Sequence, residues 1–107
     1  MFKRLSNSKK IIIGSDHAGF EMKHSIISTL SDIKFEDIGT DSNEAVDYPD
    51  YSNKLVKRIK SNSYLFGILI CGTGIGMSMS ANRTKDIRAA LCLNAKMAEL
   101  ARQHNDA

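Results

Sequence analysis

An uninterrupted apolar run, Phe66–Cys71 (FGILIC), passes without a spacer into Gly72-Thr73-Gly74-Ile75-Gly76. This junction constrains the fold more than any other part of the chain. A short apolar run with no polar alternation predicts a strand covered on both faces, the pattern of a parallel sheet. Glycines alternating directly after it predict a tight strand-to-helix corner, because glycine accepts positive φ and lets another group approach closely.

The remaining segments agree with that start. Lys10–Gly14 (KIIIG) reads as a buried strand ended by glycine. Gly19 to about Ser31 reads as an amphipathic helix, with Met22, Ile26 and Leu30 on one apolar face and Ile27 beside them. Lys34–Ile38 is a second, weaker strand, and Gly39-Thr40-Asp41 a turn. Pro49, the only proline, suits the start of a helix running to about Lys60 and burying Leu55, Val56 and Ile59. A short helix over Met77–Asn82 follows the glycines, and Ile87–Cys92 (IRAALC) reads as a fourth strand. Asn94 can cap a last helix with Met97, Leu100 and Ala101 turned inward. Strands and helices in alternation define an α/β domain with a parallel sheet between helix layers. It is expected over residues 10–107, after a basic tail at residues 1–9.

Composition narrows the function classes. The net charge of +3 owes much to Lys3, Arg4, Lys9 and Lys10. A basic end of this size is read as a solvated tail rather than a nucleic-acid grip. No apolar run nears the ~18 residues of a membrane span. Ile11-Ile12-Ile13 is also too short for a signal core of roughly 7–15 residues, so a cytoplasmic chain is expected. Cys71 and Cys92 lack a C-x-x-C spacing and are read as free thiols. The three histidines, two cysteines and scattered carboxylates show no metal-ligand spacing, so neither metal nor cofactor is expected.

In an open parallel sheet, ligands bind beyond the carboxyl ends of the strands where strand order reverses. If the first and third strands are neighbours, two loops meet there: Gly14-Ser15-Asp16-His17-Ala18-Gly19 and Cys71-Gly72-Thr73-Gly74-Ile75-Gly76. The second is neither a P-loop nor a G-x-G-x-x-G fingerprint. Its amides can instead form an anion-holding nest at a helix start. Such a nest favours the thiolate of Cys71 and makes it a base or nucleophile without a metal. The competing reading of Cys71 is a small buried hydrophobe. Cys92 has no such loop after it and is expected in the core. Asp16 and His17 either cap a helix or hold hydroxyls and anions. His104 either caps the last helix or acts as an acid or base near neutral pH.

These residues resemble ribose-5-phosphate isomerase B and its galactose-6-phosphate isomerase relatives. The blocks that carry the resemblance are Gly14 through Phe20, Asp47-Tyr48-Pro49-Asp50-Tyr51, Gly67 through Gly76, Ala81-Asn82, Ile87-Arg88-Ala89 and Arg102 through Asp106. The resemblance implies a three-layer α/β/α sandwich with a Rossmann-like sheet in the order 2-1-3-5-4. It implies interconversion of D-ribose 5-phosphate and D-ribulose 5-phosphate through an enediolate, without cofactor or metal. Cys71 is then the base, and the Gly72, Gly74, Ile75 and Gly76 amides with Thr73 stabilise the oxyanion. His104 opens the ring, and Asp16, His17 and Asn105 hold substrate oxygens. A cytoplasmic homodimer with shared sites is implied, with no nucleic acid or membrane partner. A hexose phosphate (galactose or allose) is the neighbouring substrate class. The family continues past the position of Ala107 into a fifth strand, a last helix and phosphate-binding arginines. A truncated product is therefore expected, with an inactive binding or scaffold module as the alternative.

Overall fold

The structure is a computed structural model that describes residues 10–61 and 64–107. The basic positions Lys3, Arg4 and Lys9 lie outside the described residues. Three strands form one parallel sheet in the order β2-β1-β3: β1 Lys10–Ser15, β2 Phe35–Asp37 and β3 Tyr64–Ile70. Four helices accompany them: α1 Phe20–Thr29, α2 Tyr48–Ser61, α3 Ile75–Ala81 and α4 Ala95–Asn105.

β1 is central because its isoleucines serve both faces. Ile11, Ile12 and Ile13 are buried, and they pair with Phe35, Glu36 and Asp37 of β2. On the other side Ile12 pairs with Gly67, Ile13 with Ile68 and Ser15 with Ile70. Side chains alternate along a strand, so neighbouring residues feed opposite layers. Ile12 packs with Ile38 and Leu55, against Tyr51, Ile59 and Leu69, which places α2 on that face. α3 joins the same layer beside α2, burying Met77 and Ala81. Ile70 points the other way, toward Gly19 at the start of α1. The arginine of Arg102 lies 5.7 Å from the Phe66 ring, which puts α4 on the α1 side.

Several sequence expectations need correction. Ile87–Cys92 is not a fourth strand: a strand exists through its ladder, and no strand pairs with this segment among the described residues. Asn82 takes up its polar groups instead, donating to the Ala89 carbonyl at 2.8 Å and accepting from the Ala89 N–H at 2.8 Å. Cys92 follows that segment out to solvent and is exposed rather than in the core. β3 is an edge strand and only half-buried, because among the described residues it pairs with β1 alone. Met97 and Leu100, expected inward, are each 39% exposed, and α4 buries no residue fully.

α1 departs from its apolar stripe as well. Met22 and Leu30 are exposed and Ile26 and Ile27 half-buried, while Lys23 is completely buried. The turn of the helix is set by partners waiting for the ammonium, not by the methionine and leucine. Asn94 behaves as expected, its Oδ1 accepting the Met97 N–H at 2.9 Å. Replacing it in Asn94→Ala should cost about 1 kcal/mol of helix stability. The check is amide exchange across the first turn of α4, which should quicken by roughly fivefold; unchanged exchange would show that the cap contributes nothing there.

Candidate active site

The two glycine-bearing loops meet where the sequence places them, at the carboxyl ends of β1 and β3. The Asp16 N–H donates to the Ile70 carbonyl at 3.2 Å, joining the residue after β1 to the last residue of β3. A Cβ at Gly72 would sit 3.7 Å from the Ala18 Cβ, ordinary van der Waals contact between the loops. Gly19 lies against Ile70 so closely that no side chain fits between them.

Each loop is held by its own polar groups. Asp16 is 7% exposed, and its Oδ1 accepts the Gly19 N–H at 3.1 Å. This bond fixes the turn into α1 and aims the carboxylate back across its own loop. His17 is half-buried. Its Nδ1 lies 3.1 Å from the Val46 N–H and 3.2 Å from the Val46 carbonyl, so either tautomer finds a partner. The ring is thereby oriented by the loop after β2, and Nε2 remains for a ligand.

Cys71 directly follows β3 and is half-buried, with its Sγ accepting the Gly74 N–H at 3.1 Å. An amide aimed at sulfur is the contact a thiolate accepts best. Gly74 makes it possible at φ +81°, a left-handed conformation that reverses the chain before α3. The Thr73 Oγ1 accepts the Ile75 N–H at 3.1 Å. Two amides of the expected cradle, Gly74 and Ile75, are thus engaged by side chains of the same loop. Those of Gly72, Thr73 and Gly76 have no acceptor among the described residues.

His104 and Asn105 make no hydrogen bond to this cluster among the described residues. His104 is exposed on the last turn of α4, and its ring has no partner among the described residues. Asn105 lines a different cleft with Asn82, Arg88, Ala89, Ala90 and Ala107. Arg88 is committed there to Asp106 at 2.8 Å. The two loops therefore bring Asp16, His17, Cys71, Thr73 and the glycine amides to one edge of the sheet, with no hydrogen bond from His104 or Asn105 among the described residues. Among the described residues no group of three His, Cys, Asp or Glu side chains is placed to hold a metal ion. Among them, too, no helix is long and apolar enough to cross a membrane.

Sequence reasoning missed Val46 and Lys23. Val46 carries no signal, because only its backbone acts. Lys23 had one: Phe20, Lys23 and Ile27 share a helical face by their spacing, and Asp37 ends the neighbouring strand β2.

An open parallel α/β sheet with a cysteine, an Asp-His pair and glycine-loop amides at its carboxyl edge defines a class of small-molecule enzyme. The family is given by comparison. The ribose/galactose isomerase family matches residues 11–107, and the chain belongs to it. A ribose 5-phosphate isomerase from Thermotoga maritima is 56% identical and superposes with a TM-score of 0.89, over 94% of this chain and 71% of its own. Ribose-5-phosphate isomerase B of Clostridium thermocellum is 48% identical at a TM-score of 0.87, over 92% and 68%. Ribose-5-phosphate isomerase B of Escherichia coli is 44% identical over 100 residues, 92% of this chain and 67% of that protein.

Proposed function

We propose that residues 10–107 act as one aldose–ketose isomerase domain that interconverts D-ribose 5-phosphate and D-ribulose 5-phosphate. The observation that carries this reading is the Cys71 sulfur, held by the Gly74 amide in a loop that packs at Gly72 against Ala18, the residue after Asp16 and His17. The names of the relatives favour the pentose phosphate over a hexose phosphate.

The chemistry follows from the groups present. The Cys71 thiolate takes the proton from C2 of the open-chain aldose. The C1 carbonyl oxygen gains the charge, and the Gly72, Thr73 and Gly76 amides stabilise it, together with Gly74 and Ile75 as the loop adjusts. Donors aimed at developing charge are usually the largest catalytic term. The thiol then returns the proton to C1, while the O2 proton passes to O1 and leaves the ketone at C2. Asp16 and His17 hold substrate hydroxyls. His104, as the group that opens the sugar ring, and Asn105 need another route to this site. A homodimer supplies it, with each protomer presenting its α4 to the partner's loops. Two free thiols suit a reducing compartment, which supports a cytoplasmic reading.

The test is direct. The purified chain, incubated with ribose 5-phosphate in D2O, should form ribulose 5-phosphate and exchange deuterium into the carbon-bound position, equally with and without chelator. A folded, dimeric chain that neither interconverts the sugars nor exchanges the proton would overturn the proposal.

A further inference from the structure

Lys23 is 0% exposed, an unusual place for an ammonium. Its Nζ donates to Asp37 Oδ1 at 2.7 Å, to Asp37 Oδ2 at 2.8 Å and to the Thr40 carbonyl at 2.6 Å. The Phe20 ring closes the site, its centroid 5.5 Å from Nζ. An apolar side chain could fill this space without the desolvation penalty. What the ammonium adds is direction: its bonds fix where the turn after β2 stands.

That turn is the support of the first catalytic loop. Asp37 also accepts the Gly39 N–H at 2.9 Å. Gly39 and Thr40 then clamp the end of β1, with the Ser15 N–H donating to the Gly39 carbonyl at 2.8 Å and the Thr40 N–H to the Ser15 carbonyl at 2.9 Å. Ser15 directly precedes Asp16. Further along the same loop, Val46 grips the His17 ring. Both ends of the Asp16–His17 unit are therefore held by a loop whose own position is set by Lys23.

We infer that Lys23 is a positioning residue for the isomerase reaction: its hydrogen bonds to Asp37 and Thr40 fix the loop that presents Asp16 and His17 to Cys71. This inference rests on the function proposed above. It touches no substrate and acts only through that loop, while Cys71 and its cradle belong to β3 and α3 and are outside its reach.

The experiment uses the full chain with Cys92→Ser as background, so that Cys71 is its only thiol, and compares Lys23→Met and Asp37→Asn. Three readouts are followed: kcat and KM for ribose 5-phosphate, the 15N resonances of the His17 ring, and the rate of Cys71 alkylation by iodoacetamide. Displacing positioned groups by a fraction of an ångström to an ångström costs roughly 10- to 100-fold in kcat/KM. The loss should fall mainly on KM, because Asp16 and His17 bind substrate. The His17 ring 15N resonances should shift as the Val46 contact loosens, and Cys71 alkylation should be unchanged. If the folded variants keep wild-type KM and His17 resonances, Lys23 only stabilises the fold and the inference is wrong. If Lys23→Met does not fold, Asp37→Asn decides; collapse of both variants would also overturn a positioning role. A parent chain with no isomerase turnover would sink the proposed function, while the His17 resonance would still decide this inference.

Discussion

Cys71→Ser should leave the protein folded and lower kcat by roughly 10²- to 10⁴-fold, the usual worth of a positioned general base. Serine isolates basicity from architecture. Its hydroxyl is nearly the size of the thiol and can still accept the Gly74 N–H that now points at sulfur. The left-handed turn at Gly74 and the start of α3 therefore have no reason to change. A serine hydroxyl, however, stays protonated at neutral pH and cannot take the C2 proton unaided. Cys71→Ala makes the complementary change, removing the acceptor along with the base, and should fall to the same residual rate. That residual is the contribution of the amides and of substrate orientation, which neither substitution removes. The measurement is steady-state turnover of ribose 5-phosphate together with a thermal melt. Turnover of Cys71→Ser within twofold of wild type would sink Cys71 as the base. A melt showing that the serine variant had lost its fold would instead overturn the expectation that serine preserves the loop, and Cys71→Ala would then carry the comparison.

The parts of this site that were legible in the sequence share one property: their cause is local. The KIIIG and FGILIC runs predict strands by composition alone, and α2 is fixed by Pro49 and its apolar periodicity. Given parallel neighbours, topology brings the loops after β1 and β3 to one edge, and the contacts at Ile70 and Ala18 follow. The parts that were not legible depend on partners remote in sequence. Ile87–Cys92 has a strand's composition but no ladder, and its polar groups settle on Asn82. Lys23 breaks the apolar stripe of α1, and its burial makes sense only once Asp37 is seen at the end of β2. The orientation of His17 depends on a backbone group 29 residues away, at Val46, which no side-chain pattern reports. The position of His104 is likewise a matter of where α4 docks, and its periodicity describes only which face is apolar.

Gly19→Ala should be among the most damaging single-methyl changes in the molecule, although nothing in its backbone conformation demands glycine. Gly19 has φ −95° and ψ 1°, values open to alanine, so the whole effect is steric. An added Cβ meets the Ile70 carbonyl oxygen at 2.6 Å, the Ile70 Cγ2 at 2.7 Å and the Ile70 carbonyl carbon at 2.8 Å. Two of those three atoms are backbone, in the last residue of a strand paired with β1. The strand end cannot move aside as a side chain could, so α1 and its loop must retreat. Forcing a methyl into packed structure costs about 1–3 kcal/mol. For a domain of this size that lowers Tm by roughly 4–8 °C for each kcal/mol. The retreat also stretches the Asp16–Ile70 hydrogen bond and draws the Asp16–His17 loop away from Cys71, so kcat/KM should fall in the protein that remains folded. Gly72→Ala supplies the contrast for stability. Its Cβ meets only the Ala18 Cβ, at 3.7 Å, and Tm should change little. Melts of the two variants side by side decide the matter. Equal Tm values would mean that the close approach of α1 to β3 yields without cost, and that the two loops are not held together by the contact at Ile70.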